Sequence, residues 1–109
     1  MNRITVALLL IILLPSFAFA GEVYGSIEVD GRSVGAGVGV DITCGNHVPY
    51  ATVTDRYGSY SIYVNDTGNC RLTVHYASQP QIDVYSYPSS VRYDLVLQGN
   101  GGQYSLKRK

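Results

Sequence analysis

The chain has no tryptophan, one methionine, two cysteines and two histidines. Its two phenylalanines, Phe17 and Phe19, fall within the first twenty positions, and its only lysines are Lys107 and Lys109 at the end. Each scarcity excludes something. Cys44 and Cys70 stand alone, without the Cys-x-x-Cys spacing usual in zinc sites. His47 and His75 have no third ligand at metal-binding spacing and read as solvent-exposed. No Gly-x-Ser-x-Gly elbow is present for a Ser-His hydrolase. The glycine-rich stretch Gly31–Gly39 lacks the Lys-Ser/Thr and the helix of a phosphate loop, and runs into Val38-Gly39-Val40 instead. The acids Asp30, Asp41, Asp55, Asp66, Asp83 and Asp94 are scattered and form no EF-like calcium series. Asp30, Asp55 and Asp66 read as turn caps and the others as a solvent face. Basic and acidic side chains balance at eight each. There is thus no basic stripe for nucleic acid, and Lys107-Arg108-Lys109 reads as a solvated tail. The expectation is a non-catalytic protein with no metal and no cofactor.

What is present begins with an export signal. Arg3 supplies a positive charge, Ile4 to Leu14 is apolar except for Thr5, Pro15-Ser16 breaks the run, and Ala18-Phe19-Ala20 offers a small-x-small cleavage site. The apolar run is too short to span a bilayer, which takes about 20 residues. Residues 1–20 are therefore expected to be a cleaved signal peptide. Residues 21–109 are expected to be one domain without a membrane anchor, working in the periplasm or outside the cell.

The mature part shows no helical periodicity. Period-two alternation recurs instead, with apolar residues at Val38, Val40, Ile42 and Cys44, at Tyr60, Ile62 and Val64, at Cys70, Leu72, Val74 and Tyr76, and at Val91, Tyr93, Leu95 and Leu97. Such alternation packs one face and leaves the other to water. About seven strands are expected: Glu22–Asp30, Val38–Cys44, Ala51–Thr54, Ser59–Val64, Cys70–Tyr76, Gln81–Ser86 and Val91–Leu97, with a further short one at Tyr104–Leu106. Gly, Pro, Asn and Asp punctuate them, and short strands at this spacing indicate an all-β sandwich. Cys44 and Cys70 both fall on inward phases and are expected to be joined. Closing that loop stabilises by about 3.5 kcal/mol in the chain-entropy model, a useful addition for so small a core.

Four stretches resemble the carboxypeptidase regulatory-like domain, a transthyretin-like (prealbumin-like) sandwich. They are Tyr24-Gly25-Ser26-Ile27, Gly35-Ala36-Gly37-Val38-Gly39-Val40, Thr54-Asp55-Arg56-Tyr57-Gly58-Ser59-Tyr60 and Tyr93-Asp94-Leu95-Val96-Leu97. The resemblance implies a Greek-key β-sandwich serving as an accessory, recognition or spacer module. It also implies a structural role for Asp55, Gly58 and Tyr60: the Asp caps a tight turn, the Gly takes a positive φ, and the aromatic re-enters the core. Two similar groups fit poorly. Collagen-adhesin B-type repeats form a Lys–Asn cross-link from an early-strand Lys, which this chain lacks. Transthyretin-like hydrolases of purine breakdown end in a Tyr-Arg-Gly-Ser-type tail, whereas this chain ends Tyr104-Ser105-Leu106-Lys107-Arg108-Lys109.

Binding is suggested by tyrosines outside the inward phases. Tyr57 lies beside Arg56 at a loop tip, Tyr63 is out of phase with its strand, and Tyr85 and Tyr87 flank Ser86. Tyr carries apolar area with a polar tip and suits interfaces; it also stabilises strands by cross-strand pairing. The expected role is a binding or accessory protein for an exported protein or a glycan. A carbohydrate-binding module and a small inhibitor or immunity-type protein are the alternatives.

Overall fold

A computed structural model describes residues 21–109, so the expected signal peptide lies outside the described residues. Ten strands follow in order: β1 (Gly21–Val29), β2 (Arg32–Ser33), β3 (Gly39–Thr43), β4 (Tyr50–Val53), β5 (Ser59–Val64), β6 (Gly68–His75), β7 (Gln81–Ser86), β8 (Val91–Arg92), β9 (Leu95–Asn100) and β10 (Gln103–Arg108). No helix occurs among the described residues.

The strands form two sheets. One is four-stranded in the order β4-β3-β6-β7 and antiparallel throughout. The other is built around β1, whose two halves have different neighbours. Gly21–Ser26 pairs with β5 on one side, and Val23 and Tyr24 pair with β8. Ile27–Val29 pairs with β9 in parallel, Glu28 and Val29 fold back on β2, and β9 continues to β10. The chain passes between sheets at β2–β3, β4–β5, β5–β6 and β7–β8, the crossing pattern of a Greek-key sandwich. The inward phases meet in one core of Val23, Ile27, Val40, Ile42, Tyr60, Ile62, Val64, Leu72, Val74, Val84, Leu95, Leu97 and Leu106. Burying each such side chain contributes about 1.5–3 kcal/mol, and this holds the two sheets face to face.

The seven expected strands all occur, with four adjustments. The first ends at Val29, because Asp30 (φ 52°) and Gly31 (φ 76°) form a two-residue left-handed turn into β2, which the sequence reading did not include. Cys44 lies one residue beyond β3. The expected strand Val91–Leu97 divides at Tyr93-Asp94, where the Asp94 carboxylate accepts the Ser26 N–H at 3.0 Å. Tyr93 N–H still donates to the Tyr24 carbonyl at 2.8 Å, and the register on β1 is the same on both sides, so the break is a local interruption of the ladder that keeps the inward phase. Gly25 makes room for it: a Cβ there would lie 2.0 Å from the Tyr93 carbonyl oxygen. The last strand is the full Gln103–Arg108, so Lys107-Arg108-Lys109 is not a free tail. Arg108 covers the Tyr93 ring at 4.4 Å, and the Lys109 ammonium meets Glu28 at 2.6 Å.

Cys44 and Cys70 are bonded, with Cα atoms 4.3 Å apart. The bridge joins neighbouring strands of one sheet: it extends the β3–β6 ladder one pair past Thr43↔Arg71. It closes the excursion through β4 and β5 at its base.

Candidate functional site

Period-two geometry gives the four-stranded sheet an outward face as regular as its core face. On β6 that face carries Asn69, Arg71, Thr73 and His75, and on β7 it carries Gln81, Asp83 and Tyr85. Asp41 and Thr43 of β3 stand beside them. Register places Thr43, Arg71 and Asp83 in one row and Asp41, Thr73 and Gln81 in the next. Together with Gly45, Asn69 and Cys70 these strands line an open trough of about 500 Å³ whose surface is polar and apolar in nearly equal parts.

Hydrogen bonds organise the trough. The Arg71 guanidinium donates from Nη2 to Asp83 Oδ1 at 3.1 Å and from Nη1 to Gln81 Oε1 at 3.4 Å. Arg71 and Asp83 are both well exposed, so their ion pair is worth little in water and both remain available to a ligand. At the end of the face nearest the β6–β7 turn, the His75 Nε2 lies 2.7 Å from Asp41 Oδ2 and its Nδ1 lies 3.1 Å from Gln79 Oε1. Two acceptors on the two ring nitrogens suit the doubly protonated imidazolium. The Asp41 hydrogen bond accordingly holds His75 above the ordinary histidine range, against the opposing effect of partial burial. Gln79 reaches this position from a strained turn in which Ala77 (φ 49°) and Gln79 (φ 55°) are both left-handed.

The opposite end of the face is aromatic. Tyr85 and Tyr87 stack at 4.7 Å between centroids, tilted by 47°. The backbone beneath is pinned from the other sheet, since Tyr85 N–H donates to the Tyr93 hydroxyl at 2.9 Å.

The residues singled out from sequence do not make one surface. Tyr85 lies beside Asn69 on the face that carries the trough, with Tyr87 against it. Arg56 and Tyr57 lie together in the β4–β5 turn, 4.9 Å from guanidinium carbon to ring centroid. Tyr63 lies on β5 of the other sheet, opposite Glu22 and roughly 13 Å of strand beyond Ser59. Asp55, Gly58 and Tyr60 occupy the places the resemblance implies. Asp55 Oδ1 accepts Tyr57 N–H at 2.9 Å and Ser59 N–H at 3.0 Å, Gly58 has φ 75°, and the Tyr60 ring is buried. Three acids differ from their sequence reading, and both histidines are exposed as expected but each meets a carboxylate. Asp66 does not cap its own turn; it accepts the Tyr50 hydroxyl at 2.8 Å and lies 3.1 Å from His47 Nδ1, tying the β3–β4 loop to the β5–β6 loop. Asp94 is a half-buried hub; burial pushes its carboxyl up, but hydrogen bonds from Arg92 and Ser26 outweigh that and hold it below the usual carboxylate range. Asp41 meets the exposed His75 from the neighbouring strand. Among the described residues no cluster of three or more His, Cys, Asp or Glu could hold a metal ion.

Arg71, Thr73, Gln81 and Asp83 were not singled out from sequence. The signal was there: they are the polar phase of the same alternation whose apolar phase marks the core.

No protein-family model and no curated protein matches the chain. Among solved structures it is similar to a DUF3823 family protein from Parabacteroides merdae, with a TM-score of 0.59 at 11% identity over 84% of this chain. The chain spans about half of that protein, 48% of its length. At this identity the likeness is one of fold, a β-rich architecture consistent with the sandwich. No helix among the described residues is long and apolar enough to cross a membrane. The disulfide is compatible with an oxidising compartment.

Proposed function

We propose that the chain is an exported, non-catalytic binding or accessory domain of carboxypeptidase regulatory-like type, and that its partner docks on the outward face of the four-stranded sheet. The observation that carries this reading is the outward face: a trough holding weakly committed donors and acceptors, with an exposed, mutually tilted pair of tyrosines beyond Asn69. Hydrogen bonding and stacking are what this arrangement offers. Neither imidazole has a serine hydroxyl bonded to it among the described residues, and each is engaged by a carboxylate. Export rests on the amino-terminal charge, apolar run and Ala-x-Ala exit, and on the disulfide.

The test is affinity capture with the tagged protein expressed in its own host, mildly cross-linked, and recovered from envelope and medium. The expected result is a protein or polysaccharide fraction held by the wild type and released by Arg71→Ala and by Tyr85→Ala, but kept by Tyr57→Ala and Tyr63→Ala. Release through Tyr57 or Tyr63 alone would move the docking site off this face. Retention of nothing would remove the binding role.

A further inference from the structure

We infer that the trough on the β3–β6–β7 face takes an uncharged polysaccharide chain, an inference that rests on the docking reading above and names its ligand class. Charge is the first argument. Arg71 is balanced by Asp83, and Asp41 is balanced by His75 when the imidazole is protonated, so the face carries at most one unpaired charge to select a polyanion or a polycation. The second is the composition of the floor. Thr43, Asn69, Arg71, Thr73, Gln81 and Asp83 line it around Gly45 and Cys70, so an ion pair stands where a protein docking patch is depleted of charge.

What those side chains share is planar or paired hydrogen-bonding capacity. A carboxylate accepts two bonds, a guanidinium donates in a fork, and each carboxamide does both. Vicinal hydroxyls of a sugar ring, each both donor and acceptor, are the matching partner. The aromatic end supplies the remaining element. A pyranose ring has an apolar C–H face as well as a polar rim, and the Tyr85–Tyr87 pair offers a stacking surface with hydroxyl tips. Tyr85 has little freedom to move away, because its backbone is held by the Tyr93 hydroxyl.

Shape selects a chain over a single sugar. Pockets for small ligands enclose most of the ligand surface, whereas this trough is open. From Asn69 to His75 the outward face of β6 runs for roughly 20 Å, which suits several consecutive sugar units. The ion pairs at its middle and end are exposed and weak, so exchanging them for sugar hydroxyls costs little.

The experiment is affinity electrophoresis and calorimetry of residues 21–109 against soluble mixed-linkage β-glucan, xylan, galactomannan and polygalacturonate, with a thermal melt of every variant to confirm folding. Expected is retention by at least one of the three neutral polymers, weakened about tenfold by Tyr85→Ala and by Asp83→Ala and unchanged by Lys107→Ala on the other sheet. Failure of all three neutral polymers overturns the ligand class. So does retention by polygalacturonate alone, or capture of one stoichiometric protein partner; if Arg71→Ala abolishes either of those, docking on this face survives while the uncharged glycan does not. Retention that every face variant leaves intact overturns both.

Discussion

The Tyr60 hydroxyl donates a 2.6 Å hydrogen bond to the backbone carbonyl of Tyr93, inside the core and between residues 33 positions apart. The bond fastens the break that divides β8 from β9, and burial pushes the Tyr60 hydroxyl well above the ordinary phenol range. Tyr60→Phe keeps the ring and leaves a buried carbonyl unpaired. The expected loss is about 1–3 kcal/mol, read as a lower urea midpoint at unchanged m-value. A loss near zero would mean that the break is held by Asp94 and Ser26 alone.

The same break makes one glycine far less replaceable than another. At Gly25 a Cβ would lie 2.0 Å from Tyr93 O and 3.0 Å from Asp94 Oδ1, whereas at Gly31 nothing lies within 4 Å and only the left-handed φ of 76° resists substitution. Gly31→Ala is expected to cost about 1 kcal/mol. Gly25→Ala forces backbone apart and is expected to cost about 3 kcal/mol or more. Parallel denaturation of the two variants checks the order.

The legible part of this molecule was its inward phase. Alternation placed Val40, Ile42, Tyr60, Ile62, Leu72, Val74, Leu95 and Leu97 in the core, and put Cys44 and Cys70 where they could meet. The break at Tyr93-Asp94 was not legible, because it inserts no residue and so leaves the pattern Val91, Tyr93, Leu95 intact. The trough required something more local. Arg71 faces Asp83 only if β6 and β7 pair in this register, and that register is set by a turn whose left-handed residues are Ala77 and Gln79 rather than glycines. No turn signature in the sequence announces such a conformation. Tyr63 and Tyr57 were grouped with Tyr85 for the converse reason: outward phase is local, and the sheet each strand joins is not.

Reduction of Cys44–Cys70 should destabilise without unravelling the strand order. The bridge closes a 26-residue separation, worth about 3.5 kcal/mol in the chain-entropy model. It also extends a ladder that pairs without it. Cys44→Ser/Cys70→Ser is therefore expected to retain the all-β circular dichroism of the wild type while its urea midpoint falls. Alkylation and mass measurement of the protein recovered from the periplasm or medium should find no free thiol. Two alkylatable thiols there would show that the bridge does not form where the protein works.

His75 gives the fold a dependence on alkaline pH whose sign follows from Asp41. The Asp41 hydrogen bond raises the folded-state histidine above the unfolded value of about 6.5. The folded state therefore binds the proton more tightly. This stabilising contribution is fully present below about pH 6.5 and is lost as pH rises through the folded value. The imidazole is substantially exposed, so solvent screening keeps the effect small. Asp41→Asn removes the anion and keeps the shape. In a proton NMR titration, its His75 resonance is expected to move at a lower pH than in the wild type. Thermal melts should then fall less as pH rises above about 6.5 in Asp41→Asn than in the wild type. Identical His75 midpoints in the two proteins would mean that the 2.7 Å contact does not persist in solution. The polar face would then be a set of independent side chains instead of a pre-arranged one.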